Sequence, residues 1–168
     1  MKKAISFAGL FLTLVFSTTL AAERAAPVFD GRSWRLGWSQ NQGDAIFEEY
    51  VLDSETVENW SELVTIQFFP GMNKQTNPDV FEGIHKTNLS AVCPSIKWES
   101  ISQSKDERLW KWSIKGCPGQ PDQSEIAKLK KTDEGFHVWH YAIKKAPLPA
   151  EKEKVWLEKL GAIEIKNK

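Results

Sequence analysis

The stretch "CPSIKWESISQSKDERLWKWSIKGCPG", from Cys93 to Gly119, contains both cysteines of the chain and three of its eight tryptophans. On either side of the polar, turn-like "SKDE", the segments "SIKWES" and "RLWKWSIK" alternate apolar and polar residues. That alternation puts Ile96 and Trp98 on one face of a strand, and Trp110, Trp112 and Ile114 on one face of the next. A Cys93–Cys117 bridge across an antiparallel pair sets the register, because every opposing pair must then sum to the same value as the two cysteine numbers. Ile96 falls opposite Ile114, Trp98 opposite Trp112, and Ser100 opposite Trp110, so like faces like throughout. Crosslink and hydrophobic pattern thus give one register independently. The spacing is far from the C-x-x-C of redox pairs, and the reading is a structural disulfide worth roughly 3–4 kcal/mol in the chain-entropy model. Pro94 and Pro118 lack N–H donors and end the ladder where the strands diverge.

A disulfide presupposes an oxidising compartment, and the start of the chain points to one. Met1, Lys2 and Lys3 precede the apolar run "AISFAGLFLTLVFSTTL", and small residues follow before Glu23. This is the pattern of a cleaved export signal over residues 1–22, leaving 23–168 as a single domain. No integral membrane segment is expected after cleavage. The chain carries 22 basic and 22 acidic residues, and loss of Lys2 and Lys3 with the signal tips the balance to about −2. Such a balance gives no electrostatic footprint for nucleic acid or an anionic membrane surface. The expected location is the periplasm or the extracellular medium.

Elsewhere "SWRLGWSQ" alternates so as to place Trp34, Leu36 and Trp38 on one face, and "NQGD" turns it into "AIFEEYVL". "ELVTIQFF" is a third strand, stopped by Pro70 and Gly71. "TNPDVFEGIHKTNLSAV" predicts a helix with Asn77 as cap, Pro78 in the first turn and Asp79 at the positive end. Val80, Phe81, Ile84 and Asn88 or Leu89 are its expected inward residues, with His85 free to face outward. After the stapled hairpin, "SEIAKLKKT" and "GFHVWHYAIKK" predict another, turning at "DEG". "PLPAEKEKVWLEKLG" predicts a closing amphipathic helix with Val155, Trp156 and Leu160 as its apolar stripe. The expected fold is α+β, a mainly antiparallel sheet with two helices packed against it and one disulfide.

"SETVENWSELVTIQFF", Ser54 to Phe69, carries an E-x-V-x-x-W-[ST] stretch entering a strand, and with "GFHVWHYAIKK…WLEKLG" it resembles a group of small exported bacterial proteins of unassigned function. The order of elements is similar to that of the Mog1/PsbP-like α/β/α sandwiches. Both resemblances imply a fold and a compartment and bring no catalytic residues.

The chain has no G-x-S-x-G elbow, no H-E-x-x-H, no Gly-rich phosphate loop and no acidic calcium loop. His137 and His140 lie three apart in a strand and point to opposite faces, so no shared metal is expected. Glu48 and Glu49 diverge for the same reason. No catalytic residue, metal or cofactor is predicted. The surplus of tryptophan is the positive feature, and Trp34, Trp38 and Trp60 are the candidate binding residues, since exposed aromatic groups give large contact area at low entropic cost. The expected function is non-enzymatic binding, with another exported protein or an envelope component as partner. Two alternatives make different demands. A small hydrolase acting on cell-wall or host material needs a cleft with His137 or His140 beside a carboxylate. A carrier of a small apolar ligand needs an empty pocket between sheet and helix.

Overall fold

The computed structural model describes residues 29–165; the expected export signal lies outside them. Seven strands form one antiparallel sheet: β1 (Trp34–Asn41), β2 (Ile46–Leu52), β3 (Glu62–Pro70), β4 (Lys97–Gln103), β5 (Glu107–Ile114), β6 (Gln123–Lys131) and β7 (Gly135–Ile143). A 3-10 turn (Met72–Lys74) and helix α1 (Pro78–Val92) join β3 to β4, and helix α2 (Ala150–Gly161) follows β7. The spatial order is β1-β2-β3-β7-β6-β5-β4, so the crossover through α1 leaves a gap between β3 and β4 that β5, β6 and β7 fill, with β7 beside β3. Every residue of β7 is buried, as its run of strand formers requires at the centre of a sheet covered on both faces.

Alternation along β7 assigns the two faces. Trp139, Tyr141 and Ile143 join Val64, Ile66 and Ile126 beneath α2, which contributes Trp156 and Leu160. The Tyr141 and Trp156 rings stack at 4.1 Å. Phe136 and Val138 face the other way and join Trp110, Trp112, Ala127 and Leu129 on the side of α1. The two helices therefore cover opposite faces of the sheet. The fold is the expected α+β domain, with Cys93 and Cys117 joined at a Cα separation of 5.6 Å.

In the stapled hairpin the anticipated register holds from Lys97↔Ser113 through Trp98↔Trp112 to Ser100↔Trp110, and shifts by one residue only at Ile101. Helix α1 begins as read, with the Asn77 side chain accepting from the Val80 N–H at 3.0 Å and Asp79 in the first turn. Its rotation about its own axis differs from the expectation. Val80 and Ile84 are 47% and 56% exposed, whereas Pro78 and Glu82 are buried and His85 turns toward the sheet. Phe81 and Leu89 keep their inward placement. The cause is polar: the Glu82 carboxylate accepts from Trp98 Nε1 at 3.2 Å and Ser100 Oγ at 2.6 Å, and those partners lie on the sheet. In α2, Trp156 and Leu160 face inward as expected and Val155 is 37% exposed.

A second correction concerns β1. Its pairing with β2 slips between Leu36 and Trp38, so Trp34 and Leu36 lie on the α2 side while Trp38 crosses to the α1 side opposite Glu49. The residue between them is Gly37, where an added Cβ would come within 2.8 Å of Val57 Cγ1. One inserted residue in a bulge reverses the alternation beyond it. At Gly135 the need is close approach, since a Cβ there would overlap the Phe69 carbonyl at 2.2 Å.

Candidate functional site

Helix α1 makes its main contacts with β5 and β6, so among the described residues helix covers the same face of β2 and β3 less closely. A pocket of about 550 Å3 opens there between sheet and helix. Phe47, Gln67 and Phe69 form its sheet wall, Met72 and Thr76 its end, and Phe81, Ile84, His85 and Asn88 its helical wall. Phe47 and Gln67 are cross-strand neighbours, so strand alternation puts Phe47, Gln67 and Phe69 on one face. The aromatic rings run in series: Trp38 to Phe47 at 6.5 Å, Phe47 to Phe69 at 5.9 Å, Phe69 to Phe81 at 5.5 Å and Phe81 to Phe136 at 5.8 Å. Successive pairs after the first are edge-to-face, the arrangement that ring quadrupoles favour.

Behind the helical wall lies a buried polar seam. His140 Nδ1 is 2.8 Å from Glu125 Oε1, and Trp112 Nε1 donates to the same oxygen at 3.0 Å. Burial alone would raise the Glu125 carboxyl, but its contacts with His140, His85 and Trp112 outweigh that and hold it below the ordinary value. The His85 ring covers His140 at 5.9 Å and touches Trp98 and Trp110 at the same distance. Burial lowers the pKa of His85. His140 Nε2 is buried with no hydrogen-bond partner among the described residues. Arg108 completes the seam, pairing with Asp79 and, at 3.8 Å, with Glu82.

This seam positions an imidazole against a carboxylate, but it does not form an open acid–base centre. His140 is 5% exposed, and no hydroxyl or thiol is hydrogen-bonded to His140 or His85 among the described residues. His137 lies on the opposite face, stacked on Phe68 at 4.4 Å, where burial depresses its pKa to about 4. Among the described residues no group of three or more His, Cys, Asp or Glu side chains could hold a metal ion.

The three tryptophans read from the sequence as candidates are dispersed. Trp34 belongs to the α2 side, where its ring meets Trp156 at 6.1 Å and its Nε1 donates to Asp30 at 3.0 Å. Trp60 is half-buried beside Val51, Leu63 and Ala142, with Lys144 Nζ 4.4 Å above its ring. Trp38 alone, 40% exposed, borders the pocket through Phe47.

A protein-family model matches residues 26–167, a span that contains every strand and both helices. The chain belongs to that family. The match brings no activity with it. No curated protein and no solved structure matches the chain.

Since the family match covers α1 and the whole sheet, the pocket lies within the family's domain. Sequence reading did not single out Phe47, Phe69, Phe81 or His85 as its walls. A partial signal existed, because alternation puts Phe47 with Glu49 and Gln67 with Phe69 on common faces. What the sequence lacks is the lateral position of α1, which decides which half of the sheet stays open.

Proposed function

We propose that this chain is an exported binding protein that seats a small amphipathic molecule between α1 and the open half of the sheet. The pocket carries the reading. Its volume lies within the roughly 300–1,000 Å3 of ligand sites, and apolar walls with a few neutral polar groups are their usual lining. The basic start of the chain and its disulfide support export. The alternative that required a pocket between sheet and helix therefore gains most from the geometry. A protein partner docked on clustered tryptophans has less support, because Trp34, Trp38 and Trp60 do not share a patch. A hydrolase has less still, with His140 sealed beneath His85.

The test is calorimetric titration of the oxidised, signal-free protein with 1-octanol, a neutral probe short enough for the pocket. Saturable one-to-one binding is expected, and Phe47→Ala should weaken it about tenfold, equivalent to ~1.4 kcal/mol of lost contact. Absence of saturable binding, or an affinity indifferent to Phe47→Ala, removes the pocket as a ligand seat.

A further inference from the structure

Beyond the sheet wall of this pocket, two residues along β2 from Phe47 and on the same face, lies a carboxylate with no counter-charge among the described residues. Glu49 on β2 is half-buried, and among the described residues it makes no hydrogen bond or ion pair. Its neighbour Glu48 faces the other way and accepts from the Tyr50 hydroxyl at 2.8 Å. Desolvation pushes the Glu49 carboxyl above its ordinary value, as it does for an acid held out of water without a partner. Two aromatic rings flank it. Trp38 is its cross-strand partner, and Phe47 precedes it by two residues on the same face, roughly 7 Å along the strand.

Among the described residues no lysine or arginine lines the pocket. Behind His85 lie Glu82 and Glu125; Arg108 approaches the first at 3.8 Å but is shared with Asp79. A carboxylate ligand entering here would be desolvated without a cation among the lining residues to receive it, and one reaching past Phe47 would meet Glu49. A protonated amine finds the reverse: an unpaired carboxylate for a charge-assisted hydrogen bond, and ring faces for a cation–π contact.

We propose that the ligand is a small amphipathic amine, its ammonium group held by Glu49 between the Trp38 and Phe47 rings and its apolar body lying along Phe69, Phe81 and Ile84. This assignment rests on the pocket being the ligand seat. It adds the charge of the ligand and the residue that selects it.

The experiment compares octylamine, 1-octanol and octanoate, which share a chain and differ in head group, by calorimetry at neutral pH against the oxidised protein. Octylamine should bind at least tenfold tighter than octanol, and octanoate more weakly than either. In Glu49→Gln, nearly isosteric and checked for folding by circular dichroism, octylamine should fall to the level of octanol. Raising salt should weaken octylamine selectively, which reads the charge contact without any substitution. Octanoate binding as well as octylamine, or octylamine keeping its lead in Glu49→Gln, overturns the amine assignment and leaves the pocket standing. Failure of octanol to bind as well overturns the pocket reading itself.

Discussion

Helices α1 and α2 cover opposite faces of one sheet by opposite chemistry. Helix α2 is conventionally amphipathic: Trp156 and Leu160 are at most 1% exposed, while Glu151, Lys154 and Glu158 face solvent. Its first turn is then pinned by ion pairs, Lys152 to Glu62 at 3.1 Å and Glu153 to Lys111 at 2.5 Å. Helix α1 inverts the pattern, burying Pro78 and Glu82 and exposing Val80, Ile84 and Val92. Polar partners fix its orientation: Trp98 and Ser100 on Glu82, Arg108 on Asp79, and the disulfide that starts at its C-terminal cap, Cys93. Hydrophobic burial chiefly orients α2, whereas in α1, where Phe81 and Leu89 also pack inward, polar and covalent contacts decide which of the remaining residues face the sheet. Only the second arrangement leaves apolar side chains free to line a pocket.

Removing the main apolar anchor of α2 should have the largest effect. Trp156→Ala deletes a ring that is fully buried against Tyr141 and Trp34, and about 4 kcal/mol of stability should be lost in urea unfolding. A loss below about 1.5 kcal/mol, the range of an ordinary surface or boundary change, would mean that the ion pairs carry α2 instead. The covalent anchor of α1 comes next. Cys93→Ala with Cys117→Ala should cost roughly 3–4 kcal/mol, the value for a closed loop of this length. Hydrogen exchange should then quicken more in α1 than in α2, because Cys93 ends α1. Equal acceleration in both helices would show that the bridge stabilises the whole domain without holding α1 in particular.

The stapled hairpin was the most legible region of the sequence, because two independent constraints on it, the cysteine positions and the tryptophan alternation, agree. Elements bounded by turn and cap residues were legible for local reasons, as with Asn77 and Pro78 at the start of α1. The face that α1 presents was not. Apolar spacing favours Val80 and Ile84 as inward residues, and it is overruled by a carboxylate whose partners Trp98, Ser100 and Arg108 lie far along the chain. The side on which Trp38 lies was hidden by a bulge at one glycine, which alternation alone reads as regular strand. The unpaired state of Glu49 is legible only in three dimensions, since it depends on which charges fail to reach it.

The smallest expected change in stability is also the sharpest test of the inversion. In a conventionally packed α1, Ile84 would be a core residue, and Ile84→Gln would cost at least about 2 kcal/mol through cavity formation and a buried amide. At 56% exposure, on the open, pocket-lining flank of the helix, the same substitution should change stability by less than about 0.5 kcal/mol. Octanol affinity should nevertheless fall about threefold, since some 25–30 Å2 of apolar contact at ~25 cal/mol/Å2 is worth roughly 0.7 kcal/mol. Urea midpoints and calorimetry on the one variant read both quantities. A large loss of stability would return Ile84 to the core and α1 to the ordinary amphipathic class. An unchanged midpoint with weakened binding means that the residue was left apolar for a ligand and not for the fold.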